Sequence, residues 1–270
     1  MSEPLVLVER DGDVAVLTLN DPERRNAMTE AMGRALAAAV GELARDGRLR
    51  AAVLAGAGRD FCAGGALDMI EAKARAGAAD PGGPARAANQ RFMRDFYGLF
   101  LSVRDLPCPS VAAIHGAAIG AGLCVALACD LRVAARDAKL GLNFTRLGIH
   151  PGMGATWTLP RLVGPARAAE LLFTGRSLDG AEAERTGLVN RAVPAPEVRD
   201  AALELAREIA AAAPRAVRGA KRSLAGSEAA SLTEQLEAEA AAQALDYESG
   251  DLREGLAAAR ERRTPRFRDG

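Results

Sequence analysis

Histidine and cysteine are scarce in this chain of 270 residues, which carries only two histidines and four cysteines. The cysteines stand at positions 62, 108, 124 and 129, and no two of them have the two-residue spacing typical of a metal-binding or redox pair. Two histidines are too few for a typical zinc cluster. The sequence therefore predicts no metal site and four free thiols, which are typical of a reducing compartment.

Neither sign of charge is in excess, because 35 lysines and arginines balance 35 aspartates and glutamates. A nucleic-acid-binding surface needs a basic surplus, so we expect no nucleic-acid partner, although a local basic patch for a phosphorylated ligand is compatible with this balance. No run of about twenty apolar residues is present, which argues against a membrane span. Residues 1–4 have neither the basic nor the apolar region of a signal peptide, and we expect a cytoplasmic protein.

Apolar periodicity predicts an α/β core. Five segments have the pattern of strands: 5–9, 14–19, 51–55, 110–115 and 130–134. Thr29 is placed to cap a helix that runs to residue 44, and residues 123–128 form a second, wholly apolar helix. This alternation predicts βαβ units with crossover helices.

The pattern changes twice outside that core. Residues 74–88 are rich in alanine, glycine and proline, and they predict a mobile loop beside the site. From Pro196 onward strand patterns cease, and four helices are predicted: 203–212, 214–224, 232–247 and 251–262. We therefore expect an α/β core over residues 1–195 and a helical region over residues 196–270.

Two turns of small residues are the most informative feature. The first is residues 61–65, Phe-Cys-Ala-Gly-Gly, and the second is residues 114–122, Ile-His-Gly-Ala-Ala-Ile-Gly-Ala-Gly. Few side chains there block a ligand, so a carbonyl oxygen can reach backbone N–H groups directly. The second turn enters an apolar helix, whose N-terminus carries unpaired donors and partial positive charge. Two amides that converge on one carbonyl oxygen form an oxyanion hole.

Seven segments, in this order, resemble the enoyl-CoA hydratase/isomerase family, also called the crotonase superfamily. They are residues 19–28, 61–65, 114–122, 127–132, 147–154, 174–175 and 254–267. The resemblance implies an α/β fold coiled from repeated ββα units, with C-terminal helices that pack against neighbours in a homotrimer or a dimer of trimers. It also implies an acyl-CoA thioester as substrate and no cofactor beyond the CoA that the substrate carries.

By this resemblance the oxyanion-hole donors are the amides of Gly65 and Ala121. The family usually has glycine at the second place, and alanine keeps the N–H group. Such a donor typically contributes about 3–4 kcal/mol of transition-state stabilisation. The alternative interpretation is a pair of tight strand-to-helix turns without a ligand.

The resemblance also assigns CoA-binding residues. The carbonyl groups of Ala27 and Ala63 match the pair that holds the adenine amino group, and Gly64 lies beside them in sequence. Arg24 or Arg25 is placed to meet the CoA phosphates, because the planar guanidinium fork suits phosphate. Both arginines are equally compatible with a solvated surface.

The catalytic carboxylates of the family have no match. The two glutamate positions of the hydratases fall on Cys124 and Phe144, and the aspartate position of several dienoyl isomerases and dehalogenases falls on Gly152. Hydration of a double bond needs a positioned acid and base, each worth roughly 10²–10⁴ in rate. The sequence therefore favours chemistry other than hydration, namely isomerisation, decarboxylation or hydrolysis through a stabilised enolate, and it leaves open chemistry that uses a base from elsewhere in the chain.

Three polar residues are candidates to replace the carboxylates. Asp68 follows the first turn, although a first-turn acid is also favoured by the helix dipole. In some relatives a side chain at the position of Tyr97 points into the site and is catalytic. An aromatic residue that simply packs in the core or at an interface is the alternative interpretation of Tyr97. His150 can shuttle protons near neutral pH, or it can simply pack its loop.

Three hypotheses follow from these observations. The first is an acyl-CoA enzyme that uses an oxyanion-stabilised enolate. The second is an acyl-CoA-binding protein with little or no turnover, which the missing carboxylates favour. The third is a protein-binding scaffold that has lost CoA, which the retained small-residue turns disfavour.

Overall fold

The computed structural model describes residues 3–227 and 229–268. Within this part the chain forms nine β-strands, β1 to β9: Val6–Asp11, Val14–Leu19, Ala51–Gly56, Ser110–Ile114, Ala118–Ile119, Leu131–Ala135, Leu140–Gly141, Ser177–Leu178 and Arg191–Val193. The same residues form eleven α-helices, α1 to α11: Glu30–Ala44, Leu67–Ala79, Pro84–Leu101, Ala121–Ala128, Ala155–Val163, Pro165–Thr174, Gly180–Arg185, Val198–Ala210, Pro214–Ser227, Leu232–Asp246 and Gly250–Glu261.

Six strands form the main sheet, in the order β1-β2-β3-β4-β6-β9. The hairpin of β1 and β2 is antiparallel, and every other neighbouring pair in this sheet is parallel. Strands β2 and β4 are buried along their whole length, as parallel strands covered on both faces are. Strands β5, β7 and β8 form a second, smaller sheet. The five strands and the α/β class predicted from the sequence are confirmed.

Helix α1 follows the sequence pattern closely. The Thr29 side chain caps it by accepting a hydrogen bond from the Met32 amide at 3.2 Å. Its apolar positions are all buried: Met32, Leu36, Val40 and Leu43. The predicted N-cap and the predicted helix to residue 44 are therefore confirmed.

The predicted loop at residues 74–88 is wrong. Helix α2 continues to Ala79 and helix α3 begins at Pro84, so only four residues, 80–83, connect them. Alanine is the strongest helix former, and proline at the first helical position loses no hydrogen bond. Gly82, at φ +81°, supplies the left-handed residue that lets the short connection turn.

Four helices follow residue 196, as predicted, although α8 begins five residues earlier than expected. Helix α8 packs on β2, β3, β4 and β6 and buries Val198, Ala202, Leu203 and Ala206. No strand follows residue 196 among the described residues. The division of the chain into a core and a helical region at that residue stays a prediction. Among the described helices, none combines the length and the apolar character needed to cross a membrane.

Candidate active site

The site lies at one edge of the main sheet. Strands β2, β3 and β4 are parallel neighbours, so their carboxyl ends meet at the same edge. The segments that follow them are residues 20–28, 57–66 and 115–120, and they leave the sheet side by side. Ligand sites in α/β proteins commonly form outside the carboxyl ends of such strands.

Backbone hydrogen bonds join the three segments into one platform. The Met28 amide donates to the carbonyl of Gly64 at 2.8 Å, which joins the first segment to the second. The Ile119 amide donates to the carbonyl of Cys62 at 3.0 Å, and the Cys62 amide donates to Ala117 at 3.0 Å. The second segment is thereby held between the other two.

Gly64 is required by the closeness of this packing. Its φ of +94° lies in the left-handed region, and a Cβ atom at this position would stand 2.6 Å from the carbonyl oxygen of Ile119. The same hypothetical Cβ would be 3.7 Å from the amide nitrogen of Ala121. The first turn therefore runs directly beside the start of α4.

Two amides on this platform have no acceptor. Neither the Gly65 nor the Ala121 amide donates a hydrogen bond within the described residues, whereas the neighbouring Gly120 amide donates to Gly141 at 2.7 Å. Ala121 is the first residue of α4, where helical N–H groups have no intrahelical acceptor. Both residues line the same cavity, so an oxygen atom of a ligand that enters it meets bare donors.

Asn26 and Asp60 support the platform, and the sequence reasoning assigned neither. Asn26 is fully buried, and its side-chain amide donates to the carbonyls of Ala57 and Asp60, both at 2.9 Å. The Asp60 carboxylate accepts hydrogen bonds from the Ala117 amide at 3.1 Å and from Arg25 at 2.6 Å. Burial alone would raise the pKa of Asp60, but these hydrogen bonds and the nearby guanidinium groups outweigh it and hold the pKa below its usual value. Asn26 lies within residues 19–28, one of the segments that resemble the family. That resemblance is the sequence signal that could have identified Asn26 as part of the site.

The cavity has a volume of about 520 Å³. All ten residues proposed for the site from the sequence line it: Arg24, Arg25, Ala27, Ala63, Gly64, Gly65, Asp68, Tyr97, Ala121 and His150. Its remaining wall is mostly apolar, and the large side chains there are Leu67, Met69, Ile70, Met93, Phe96, Ile119, Phe144, Leu147, Ile149 and Met153. The fold therefore brings together residues that are up to 126 positions apart in sequence.

Charged side chains stand at the rim of this cavity. Arg24 and Asp68 approach to 3.5 Å, with side chains that are 51% and 76% exposed. Arg25 donates through Nε to the buried carboxylate of Asp60, and the Arg25 side chain is 43% exposed. His150 is exposed and donates through Nδ1 to the carbonyl of its neighbour Pro151 at 2.7 Å.

The three positions where the resemblance places carboxylates lie in or next to the site. Phe144 lines the cavity, and Cys124 and Gly152 are not among its lining residues, although a Cβ atom at Gly152 would contact the lining residue Tyr97. The Cys124 thiol donates weakly to the Gly152 carbonyl at 3.7 Å. Burial raises the pKa of Cys124 far above its ordinary value, so this side chain is a neutral thiol at physiological pH. No carboxylate stands at any of the three positions.

Among the described residues there is no group of three or more histidine, cysteine, aspartate or glutamate side chains arranged to hold a metal ion.

Comparisons with known proteins give a consistent result. Over residues 9–270 the chain matches the family model described as enoyl-CoA hydratase/isomerase. A relative from Escherichia coli (strain K12), named 1,2-epoxyphenylacetyl-CoA isomerase, is 36% identical over 262 residues, which cover 97% of both chains. The mitochondrial enoyl-CoA hydratase domain-containing protein 2 of Homo sapiens is 37% identical over 262 residues and is matched over 86% of its length and 95% of this chain. The crystal structure of enoyl-CoA hydratase from Bacillus anthracis superposes with a TM-score of 0.88 at 33% identity, covering 98% of this chain and 100% of that one.

Proposed function

The chain belongs to the enoyl-CoA hydratase/isomerase, or crotonase, family, and from that premise we propose that it acts on an acyl-CoA thioester through an enolate held in an oxyanion hole. The hole consists of the amides of Gly65 and Ala121. The observation that carries this proposal is that both amides line one cavity and neither has an acceptor within the described residues. Donors aimed at a developing oxyanion in a partly dehydrated site stabilise the transition state more than the ground state.

The CoA part of the substrate binds across the same platform. The carbonyl groups of Ala27 and Ala63 take the adenine amino group beside Gly64, and neither carbonyl accepts a hydrogen bond within the described residues. Arg24 and Arg25 stand at the rim, where their partly exposed guanidinium groups suit phosphate. No cofactor is proposed beyond the CoA that the substrate carries.

The reaction is one other than hydration. Cys124, Phe144 and Gly152 offer no carboxylate to activate water, and Asp68 and His150 are exposed at the rim. Isomerisation, decarboxylation and hydrolysis all pass through an oxyanion or enolate, which the two amides stabilise. The isomerase name of the Escherichia coli relative supports this direction.

A second candidate function is acyl-CoA binding with little or no turnover. The neutral Cys124 thiol and the apolar Phe144 side chain favour it, because neither performs proton transfer at neutral pH. A binding protein would keep the platform and the cavity while having no acid or base beside the thioester.

The assembly that the resemblance implies, a homotrimer or a dimer of trimers, is part of the proposal. Exposed apolar side chains on α9 and α10 support it, namely Leu224, Leu232, Leu236 and Leu245. Large apolar side chains that stay exposed on neighbouring helices are typical of a surface that packs against another protein.

A panel of thioesters separates the candidates. Crotonyl-CoA reports hydration, a 3-enoyl-CoA reports isomerisation, malonyl-CoA reports decarboxylation, and calorimetry with acetyl-CoA reports binding. We expect binding, turnover of at least one thioester, and hydration of crotonyl-CoA near background. Efficient hydration would contradict the proposed reaction class, and binding without any turnover would favour the second candidate. Absence of binding would contradict both and favour the scaffold hypothesis.

A further inference from the structure

Most polar side chains that line the cavity already have a hydrogen-bond or ion-pair partner. Arg24 faces Asp68, Arg25 is bonded to Asp60, and His150 is bonded to its neighbouring carbonyl. Tyr97 and Asn143 also line the cavity, and neither side chain makes a hydrogen bond within the described residues. Of these two, only the tyrosine hydroxyl carries a proton that it can transfer.

The position of the Tyr97 hydroxyl depends on Gly152. A Cβ atom at residue 152 would stand 2.4 Å from the hydroxyl oxygen and 3.0 Å from the adjoining ring carbon. Real Cβ atoms do not approach so closely, so any other residue at this position would displace the ring. The phenol therefore occupies the space that a side chain at 152 would fill, between Gly152 and the cavity.

This placement sets the hydroxyl beside a residue that contacts helix α4. Cys124 donates to the Gly152 carbonyl, and it lies three residues after Ala121 on the same helix. Tyr97 and Ala121 both line the cavity, so a ligand that reaches the Ala121 amide occupies the same space that the Tyr97 side chain faces.

The surroundings keep this phenol protonated. Burial raises the pKa of Tyr97 above its ordinary value. At neutral pH the hydroxyl is therefore a hydrogen-bond donor and a proton source, and it is not a base.

We propose that Tyr97 is the proton donor of the site, that Gly152 positions it, and that the substrate class is a malonyl-type thioester. This inference rests on the proposed function. The bond between the α-carbon and the carboxylate breaks, carbon dioxide leaves, and the electron pair forms an enolate held by the amides of Gly65 and Ala121. The α-carbon then forms a C–H bond with the Tyr97 proton, and the phenolate recovers a proton from water. No base is needed at any step, which suits a cavity whose inner wall has no carboxylate.

The apolar wall of the cavity favours the step in which carbon dioxide is lost. Met69, Met93, Phe96 and Phe144 line the cavity. An apolar wall solvates the substrate carboxylate poorly, which destabilises the ground state. Because the carboxylate becomes neutral carbon dioxide in this step, its poor solvation favours the reaction.

The test compares Tyr97→Phe with Tyr247→Phe. The chain has only these two tyrosines, and Tyr247 is 72% exposed on the surface, which makes its variant a matched control. The probe is malonyl-CoA, with carbon dioxide release and acetyl-CoA formation as readouts. We expect Tyr97→Phe to lower kcat about 100-fold while KM changes less than about twofold. Tyr247→Phe should match the wild-type protein.

Gly152→Ala and the double variant test the positioning role. Gly152→Ala should lower kcat by a similar factor, because it displaces the hydroxyl, and the double variant should be no slower than Tyr97→Phe. Additive losses would overturn the assignment of Gly152. Thermal unfolding of each variant identifies any that fails to fold, and Tyr97→Phe, which keeps the ring, still decides the main point.

The outcomes separate this inference from the proposed function. If wild-type protein decarboxylates malonyl-CoA and Tyr97→Phe does so equally fast, the proton-donor assignment is overturned while the proposed function stands. If wild-type protein turns over other thioesters and releases no carbon dioxide from malonyl-CoA, the substrate class is overturned. If no thioester is turned over, the proposed enzyme function and this inference fail together.

Discussion

Gly65 and Ala121 are important because no large side chain covers their backbone N–H groups. Each has a small side chain or none, each residue lines the cavity, and neither amide has an acceptor among the described residues. Gly64 lets the two turns approach this closely, since any Cβ there would collide with the carbonyl of Ile119. In the proposed oxyanion hole the donors are therefore main-chain atoms, and the side chains at these positions decide whether a ligand can reach them.

Ala121→Pro should remove one oxyanion donor and leave the fold intact. Proline is favoured at the first position of a helix, and Ala121 holds that position in α4. We expect a loss of roughly 10²–10³ in kcat for whichever thioester the wild-type protein turns over. Steady-state kinetics measures this loss, and circular dichroism checks the helix.

Glu30→Pro is the matched control for that variant. Glu30 is the first residue of α1, it is exposed, and it does not line the cavity. Normal turnover by Ala121→Pro would contradict the oxyanion-hole assignment. Equal losses in both variants would point to a general effect of proline on folding.

Helix α3 is the element that carries Phe96 and Tyr97 to the cavity, and its position depends on its contact with α1. Gly33 lies in that contact: a Cβ atom there would stand 2.8 Å from the Phe100 ring and 3.0 Å from Leu99 Cβ. Phe100 is fully buried, so the ring has little freedom to move away. The absence of a side chain at Gly33 lets the two helices pack closely.

Two glycine-to-alanine changes should therefore have opposite effects on stability. Gly33→Ala should lower the free energy of unfolding by about 1 kcal/mol, because overpacking costs more than the helix propensity gained. Gly219→Ala, within α9, should raise it by roughly 0.5–1 kcal/mol, because a Cβ atom there meets nothing within 4 Å. Urea unfolding measures both changes. If Gly33→Ala stabilised the protein, the contact between α1 and α3 would be looser than the structure shows.

At the scale of the whole molecule, one continuous apolar core joins the main sheet to the helices on both of its faces, and it contains all four cysteines. Burial raises the pKa of Cys62 and Cys129 to about 12 and that of Cys108 to about 11, and it raises the pKa of Cys124 further. The native thiols thus stay neutral at a pH where the thiols of the unfolded chain ionise.

Stability should consequently fall at alkaline pH. A raised native pKa means that the native state binds more protons than the unfolded state above the ordinary thiol pKa of about 8.5, so the free energy of unfolding declines from that pH upward. Each thiol contributes a slope of about 1.4 kcal/mol per pH unit until its native pKa is reached. Denaturant unfolding of wild type and Cys108→Ala between pH 8 and pH 10.5 measures this slope. Equal slopes in the two proteins would contradict the contribution of Cys108.

Local sequence signals were sufficient for much of the fold. The five strands, helix α1 with its Thr29 cap, and the two small-residue turns follow from residues only a few positions apart, because strand and helix periodicity act over that range. The predicted loop at residues 74–88 is wrong for the same reason: Gly82 and Pro84 are consistent both with a long loop and with a tight turn between two helices. Only the packing of α2 against α3 selects the turn.

The sequence by itself determined the α/β class, the small-residue turns, and the absence of carboxylates at positions 124, 144 and 152. Only the tertiary structure decided that the segments following β2, β3 and β4 form one platform, that Asn26 and Asp60 hold it, and that the Tyr97 hydroxyl occupies the space beside Gly152. The physical reason is distance along the chain: these contacts join residues more than thirty positions apart, and parallel strand pairing sets which of them meet.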